Sequence, residues 1–264
     1  MGDRWSRLIG YGGGSAAAVT LVGAGVLLRQ VQLARRDIPL AQAPPPRADG
    51  RYPARRAGRP LTLVVLGDSV AAGYGVGKPR QTPAALLATG VSRRLERPVE
   101  LHVQAVVGAT SRRLRPQVEA ALQLAPDLAV IVVGGNDVTH GTNQAAAVGH
   151  LVRAVRELRS AGTQVVVGTC PDLGTIRPLR WPLRRLARRW SRQLATAQTV
   201  AVVEAGGWTV SLGDLLGPRF AAEPTRMFGQ DGFHPSADGY AAATAALLPT
   251  VLAALGATHP SRAE

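Results

Sequence analysis

The sequence predicts an α/β protein, a three-layer α/β/α domain on a mostly parallel five-stranded sheet, preceded by an N-terminal transmembrane or signal segment. Three observations carry this expectation. From residue 61 onward, short apolar runs alternate with longer stretches of helical periodicity, the pattern of βαβ units. The first run, 61–66, has no charge and ends at a glycine, as expected of a parallel strand covered on both faces. Residues 8–28 also lack any charge, and arginines flank them on both sides.

Taken in order, residues 1–36 read as a signal anchor with basic flanks. A helix over 8–28 would be about 31 Å long, enough to cross a bilayer core. Arg29 and Gln30 follow Leu28 directly and interrupt a small-residue cleavage site, which favours an uncleaved anchor over a cleaved signal peptide. Arg4 and Arg7 on one side balance Arg29, Arg35 and Arg36 on the other, so charge does not set the orientation. The expected location is the cell membrane, with a single-pass anchor and an extracytoplasmic domain; the alternative is secretion after cleavage. Residues 37–60 carry Pro39, Pro44, Pro45, Pro46, Pro53 and Pro60 and read as an extended tether.

The domain proper is expected over 61–256, with a C-terminal tail at 257–264. Its strands are expected at 61–66, 99–106, 128–133, 163–168 and, more weakly patterned, 200–204. Helices are expected at 83–96, 111–124, 143–161, 183–198 and 237–255. Thr82 before Pro83 is a good helix N-cap followed by proline at the first helical position.

Composition sets bounds. At 264 residues and 46% hydrophobic content, the chain can bury one ordinary core, and 4% aromatic content points to one made of Val, Leu and Ala. The net charge of +14 comes from arginine, since Lys78 is the only lysine. That excess reads either as a compositional bias or as attraction to anionic partners. The single cysteine, Cys170, rules out an internal disulfide and a multi-cysteine zinc site, and its apolar surroundings suit a small buried residue.

The first three strands each end in a small polar turn: Gly67-Asp68-Ser69, Gly108-Ala109-Thr110-Ser111 and Gly134-Gly135-Asn136-Asp137. In a doubly wound sheet these turns lie along one edge, where such folds bind ligands. Near the C-terminus, Asp231-Gly232-Phe233-His234-Pro235-Ser236 precedes the last helix. An acid three residues before a histidine, joined through glycine, can fold back onto one ring nitrogen. It then fixes the tautomer and stabilises the imidazolium formed during proton transfer.

In these four blocks the sequence resembles the SGNH (GDSL-type) hydrolases, a family of esterases, lipases and acyltransferases, over about 61–255. The resemblance implies a flavodoxin-like fold with Ser69 as nucleophile, His234 as general base and then acid, and Asp231 as orienting carboxylate. It further implies an oxyanion hole from the backbone N–H groups of Ser69 and Gly108 and the side-chain amide of Asn136, with no metal and no cofactor. The implied substrate is an acyl-ester small molecule, a lipid or an acylated glycan. Hydrolysis through an acyl-enzyme is the first reading, acyl transfer to a sugar hydroxyl the second, and a non-catalytic lipid- or glycan-binding module the third.

Other features are weighed beside these. The stretch 73–78 is glycine-rich and ends in Lys78, but Ala72 stands at the first P-loop position and Pro79 follows the lysine. It reads as a loop after the serine turn. His102, His140, His150 and His259 lack ligand spacing. Asp68 and Asp137 are expected to brace their turns; Asp172 reads either as facing the cleft or, the preferred reading, as part of a solvated loop. In the arginine-rich stretch 177–192, Leu183, Leu186, Trp190 and Leu194 form an apolar stripe, with Arg184, Arg185, Arg188, Arg189 and Arg192 on other faces. It reads either as a domain helix with a solvated basic side or as an element resting on anionic lipid. No nucleic-acid partner is expected, because no recognition motif or stacking platform is present.

Overall fold

The computed structural model describes residues 25–33, 36, 44–53 and 55–256. Most of the predicted anchor run 8–28 and the tail 257–264 lie outside the described residues. The domain is a three-layer α/β/α sandwich. Its elements are β1 (Gly50–Tyr52), β2 (Leu61–Gly67), α1 (Ser69–Ala72), α2 (Pro83–Leu95), β3 (Val99–Val103) and α3 (Leu114–Leu122). There follow β4 (Leu128–Val132), α4 (Gly135–Thr139), α5 (Gln144–Ser160), β5 (Gln164–Gly168) and α6 (Leu183–Glu204). The chain closes with β6 (Trp208–Val210), α7 (Leu212–Ala222), α8 (Pro224–Met227) and α9 (Ala237–Gly256).

The sheet order is β1-β3-β2-β4-β5-β6, with β1 antiparallel to β3 and the remaining pairs parallel. Alternate residues of each strand face opposite layers. Leu63, Val65, Leu101, Val130 and Val166 pack against α2 and α9, through Leu87, Val91, Leu247 and Val251. Val64, Leu66, Ile131, Val165 and Val167 pack against α3, α5 and α6, through Val118, Leu151, Val155 and Val202. Burial on both faces explains the uncharged runs that mark these strands in the sequence. Helix α9 is long and apolar enough to cross a membrane by length and composition, yet Tyr240, Leu247 and Val251 are buried in the domain core.

Two expectations are corrected. Among the described residues the sheet has six strands, not five, because Gly50–Tyr52 inside the expected tether adds to the edge at β3. Val103 N–H donates to Asp49 Oδ1 (2.8 Å) and Tyr52 Oη donates to Ala48 O (2.7 Å), so this short segment occupies an edge that would otherwise stay unpaired. The expected strand at 200–204 is the end of helix α6, whose buried face continues through Leu194, Gln198 and Val202. The last strand comes later, at Trp208–Val210, and pairs with β5.

Strand β2 lies between β3 and β4, whose crossovers pack on opposite faces of the sheet. Its carboxyl end is the topological switch point. There Gly67 has φ +133°, and a Cβ on it would stand 1.9 Å from the Val132 carbonyl oxygen. Gly67→Ala is therefore expected to cost roughly 3 kcal/mol or more in thermal or urea unfolding. Gly77→Ala, where nothing lies within 4 Å, should leave stability within about 0.5 kcal/mol of the starting protein.

Candidate active site

Ser69 begins helix α1 immediately after β2. Asp68 is its N-cap in extended conformation, and Asp68 Oδ1 accepts from Val70 N–H (2.9 Å). The strand end itself is gripped by the buried amide of Gln117. Its Oε1 accepts from Gly67 N–H (2.8 Å) and its Nε2 donates to Gly67 O (3.0 Å). Both backbone polar groups of Gly67, two residues before the serine, are therefore satisfied, which limits the freedom of the turn to move.

His234 reaches the serine from the loop before α9. That loop folds on itself through Gly229 N–H to His234 O and Ser236 N–H to Met227 O, both 2.8 Å. Asp231 Oδ1 accepts from the backbone N–H groups of Phe233 and His234, each 2.9 Å, and Oδ2 lies 2.6 Å from His234 Nδ1. His234 Nε2 is 2.9 Å from Ser69 Oγ. An ionised carboxylate only accepts, so Nδ1 carries the proton, Nε2 accepts, and the Ser69 hydroxyl donates. Burial pushes the Asp231 carboxyl up, but the bonds from His234 and the two backbone N–H groups outweigh it and hold the carboxyl below its ordinary range.

The imidazole is packed as well as bonded. The Tyr74 ring tilts against it at 4.5 Å and the Phe233 ring meets it edge-on at 4.8 Å. Tyr240 Oη donates to the Tyr74 carbonyl (2.6 Å), tying that aromatic wall to α9. Gly75 permits the close approach, since a Cβ there would lie 3.1 Å from His234 Cβ in a backbone with φ +95°. The glycine-rich stretch after the serine is thus the histidine's wall.

The second and third turns meet beside the first. Val106 N–H donates to Gly67 O (3.1 Å), carrying the chain after β3 along β2 toward Gly108, whose φ is +77°. Asn136 Nδ2 donates to Ala109 O (3.1 Å), which locks the amide against the second turn. Asp137 Oδ2 accepts from both the backbone N–H (2.9 Å) and the hydroxyl (2.8 Å) of Ser111. Among the described residues, the N–H groups of Ser69 and Gly108 have no internal acceptor. All five sequence-predicted site residues, Ser69, Gly108, Asn136, Asp231 and His234, belong to loops at the carboxyl edge of the sheet. The first and last two are joined by direct side-chain bonds.

Below Ser69 lies an apolar cavity whose walls include Leu173, Ile176, Leu212, Leu216, Phe220 and Phe233. Asp172, expected in a solvated loop in preference to the cleft, is instead 4% exposed and lines this cavity. Its Oδ1 accepts from Gly174 N–H (2.8 Å), and Oδ2 pairs with Arg188 (3.1 Å) and Arg192 (3.3 Å). The partners lie a turn apart on α6, so two of the arginines read as a free basic face are counter-ions. The apolar stripe of α6 also differs from the expected one. Ala187, Ser191, Leu194 and Gln198 are buried, whereas Trp190 is 47% exposed. Gln198 bridges two strand ends, accepting from Cys170 N–H (2.8 Å) and donating to Val133 O (3.1 Å). Gln117 and Gln198 escape a sequence reading because buried amides look like surface residues; the available signal was their core-facing phase on amphipathic helices.

Cys170 is buried, and burial with the nearby Asp68, Asp137 and Asp172 charges pushes its thiol well up, so it is no nucleophile. Burial also raises Asp137, against the lowering effect of the Ser111 bonds. His140 Nδ1 lies 2.8 Å from Asn136 O and braces the third turn. His259 lies outside the described residues. Among the described residues no cluster of three His, Cys, Asp or Glu side chains could hold a metal ion.

A strand-end serine hydrogen-bonded to an Asp-oriented histidine, on a flavodoxin-like three-layer α/β/α sheet, defines the class as an SGNH-type hydrolase fold. Residues 65–242 match the model of the GDSL-like lipase/acylhydrolase family. A GDSL-like esterase of Mycobacterium tuberculosis is 42% identical over 231 residues, 83% of this chain and 73% of that one. The fold is shared with an acetylxylan esterase from Geobacillus stearothermophilus, at TM-score 0.57 and 18% identity over 74% of this chain and 96% of that one. It is likewise shared with the psychrotrophic esterase EstA from Pseudoalteromonas, at TM-score 0.58 and 19% identity over 74% and 98%. The chain belongs to the GDSL-like lipase/acylhydrolase family, and it is a hydrolase of ester bonds.

Burial raises the Asp68 carboxyl from 3.8 to about 7, with the Asp137 charge adding to the rise and the Val70 N–H opposing it. The folded protein therefore holds this proton more tightly than the unfolded chain, and the stability so gained is lost as pH rises from about 4 through about 7. Asp68→Asn keeps an acceptor for Val70 N–H but removes the titration. Its melting temperature should rise relative to the parent across that window and then stay level, as followed by thermal unfolding at stepped pH.

Proposed function

We propose that the protein is a serine esterase that hydrolyses carboxylic esters through an acyl-enzyme. The observation that carries this reading is the unbroken chain Asp231 Oδ2, His234 Nδ1, His234 Nε2, Ser69 Oγ, at 2.6 and 2.9 Å. As Ser69 Oγ attacks the ester carbon, His234 Nε2 takes its proton, and Asp231 stabilises the resulting imidazolium. The developing oxyanion is met by the N–H groups of Ser69 and Gly108 and by the Asn136 amide. His234 then protonates the departing alcohol oxygen, breaking the ester C–O bond. In the second half, water loses a proton to His234 and attacks the acyl carbon, releasing the acid and restoring the serine hydroxyl.

The apolar cavity beside Ser69 takes the acyl chain in this reading, since Leu212, Leu216 and Phe220 offer it no polar partner. The uncharged run at 8–28 holds the domain at the outer face of the membrane. The length of the run and the arginines that bound it support insertion in a bilayer, and the outer side is part of the proposal.

A panel of p-nitrophenyl esters from acetyl to palmitoyl tests the chemistry on the full chain. Ser69→Ala is expected to lower kcat/KM by at least about 10³, and Asn136→Ala to lower kcat by about 10²–10³ with an unchanged circular-dichroism spectrum. Equal rates for Ser69→Ala and the parent on every ester would reject the reading. Phe220→Trp, which fills the cavity, should shift the preference toward shorter acyl chains.

A further inference from the structure

We propose that the start of α6 and the loop before it form a docking face for anionic phospholipid, seated beside the membrane anchor and next to the active-site loop. This goes beyond the esterase reading and rests only on its placement of residues 8–28 in the membrane.

Three observations converge on this face. The first is its chemistry. Trp181 is 71% exposed, and Arg177, Arg184, Arg185 and Arg189, before and after it in the same stretch, are exposed as well. Among the described residues none of these four guanidinium groups has an acidic partner, whereas Arg188 and Arg192 on the next face are held by buried Asp172. An indole among unpaired arginines matches a headgroup region, where the ring sits at the interface and guanidinium groups meet phosphate.

The second observation is position relative to the anchor. Gln30, two residues beyond the uncharged run, accepts from Leu183 N–H through Oε1 (3.0 Å) and donates to Trp181 O through Nε2 (2.5 Å). The N–H of Leu183 is one of those that a helix leaves without an internal acceptor at its first turn. The chain leaving the membrane is thus fastened to the first turn of α6. A bilayer holding residues 8–28 then lies against Trp181 and the arginines beside it.

The third observation links the face to the chemistry. Pro178 of the same loop packs against Gly232, its Cδ 3.4 Å from where a Cβ on that glycine would stand, and Gly232 lies between Asp231 and His234. Leu173, Ile176 and Leu179 of this segment share an apolar cluster with Phe220 and Phe228, at the wall of the cavity beside Ser69. A lipid surface bound here would present ester groups at the rim of that cavity.

The test uses full-length protein with vesicles of phosphatidylcholine alone or with about a third phosphatidylglycerol, with bromine-labelled acyl chains as fluorescence quenchers. Trp181→Phe separates this indole from Trp5, Trp190 and Trp208. A charge-reversed variant, Arg184→Glu with Arg185→Glu and Arg189→Glu, removes the basic face. The parent should lose more fluorescence than Trp181→Phe in the mixed vesicles, and this difference should vanish in phosphatidylcholine alone and in the charge-reversed variant. Hydrolysis of soluble p-nitrophenyl acetate should be unchanged in both variants. Protein that partitions with vesicles and survives a high-salt wash while Trp181 stays unquenched would overturn the docking face and leave the anchor standing. Salt-reversible binding to the mixed vesicles with Trp181 quenched would keep the face and overturn the anchor. Quenching equal in both vesicle types, or binding to a soluble anionic polysaccharide but to neither vesicle, would also overturn the proposal.

Discussion

The bond between Asp231 and His234 is the constraint on which the site depends. Two short backbone bonds to Asp231 Oδ1 fold the loop, and the remaining oxygen meets the ring at 2.6 Å, so one carboxylate both shapes the loop and fixes the tautomer. If that oxygen pointed elsewhere, His234 would have no reason to present Nε2 to the serine. The aromatic wall of Tyr74 and Phe233 then restricts the ring by packing alone. Desolvation makes the arrangement effective, because a partly buried carboxylate acts on an imidazolium with less screening than one in water.

The edge beneath it is built from polar groups that would be costly if unpaired. Gln117 satisfies the last residue of β2, Gln198 spans the ends of β4 and β5, and Asp137 binds both donors of Ser111. Asp172 adds an ion pair at the cavity wall, with half-exposed guanidinium groups that keep part of their hydration. Removing Asp172 would leave those arginines in water at little cost, whereas removing both arginines would strand a buried charge. Among the described residues, the side-chain polar atoms that are buried without a partner, Arg51 Nε, Ser92 Oγ, Thr163 Oγ1 and Thr244 Oγ1, belong to none of these groups.

Much of this was legible in the sequence, and the reasons differ by element. The strands covered on both faces announced themselves as uncharged runs, and the polar turns at their ends marked the binding edge. Asp231 and His234 could be paired because they lie three residues apart, and the two side chains do meet. By contrast, β1 has three residues, one an arginine, among prolines, and it forms only because the edge of β3 and the Asp49 carboxylate receive it. The 200–204 run is rich in β-branched residues, but tertiary packing continued the helical period through Val202 and overrode that propensity. Asp172 looked solvated because its partners lie 16 and 20 residues onward, on a helix whose rotation the sequence left open.

In the proposed mechanism Ser69 is the nucleophile held by this hydrogen-bonded chain. Intact-mass measurement and peptide mapping after exposure to a fluorophosphonate test it most directly. One adduct per chain is expected, on the peptide that contains Ser69, with none in Ser69→Ala and slower labelling in Asp231→Asn, which keeps an acceptor for the Phe233 and His234 N–H groups. A folded protein that takes no adduct, or takes it on a different serine, would remove Ser69 from that role.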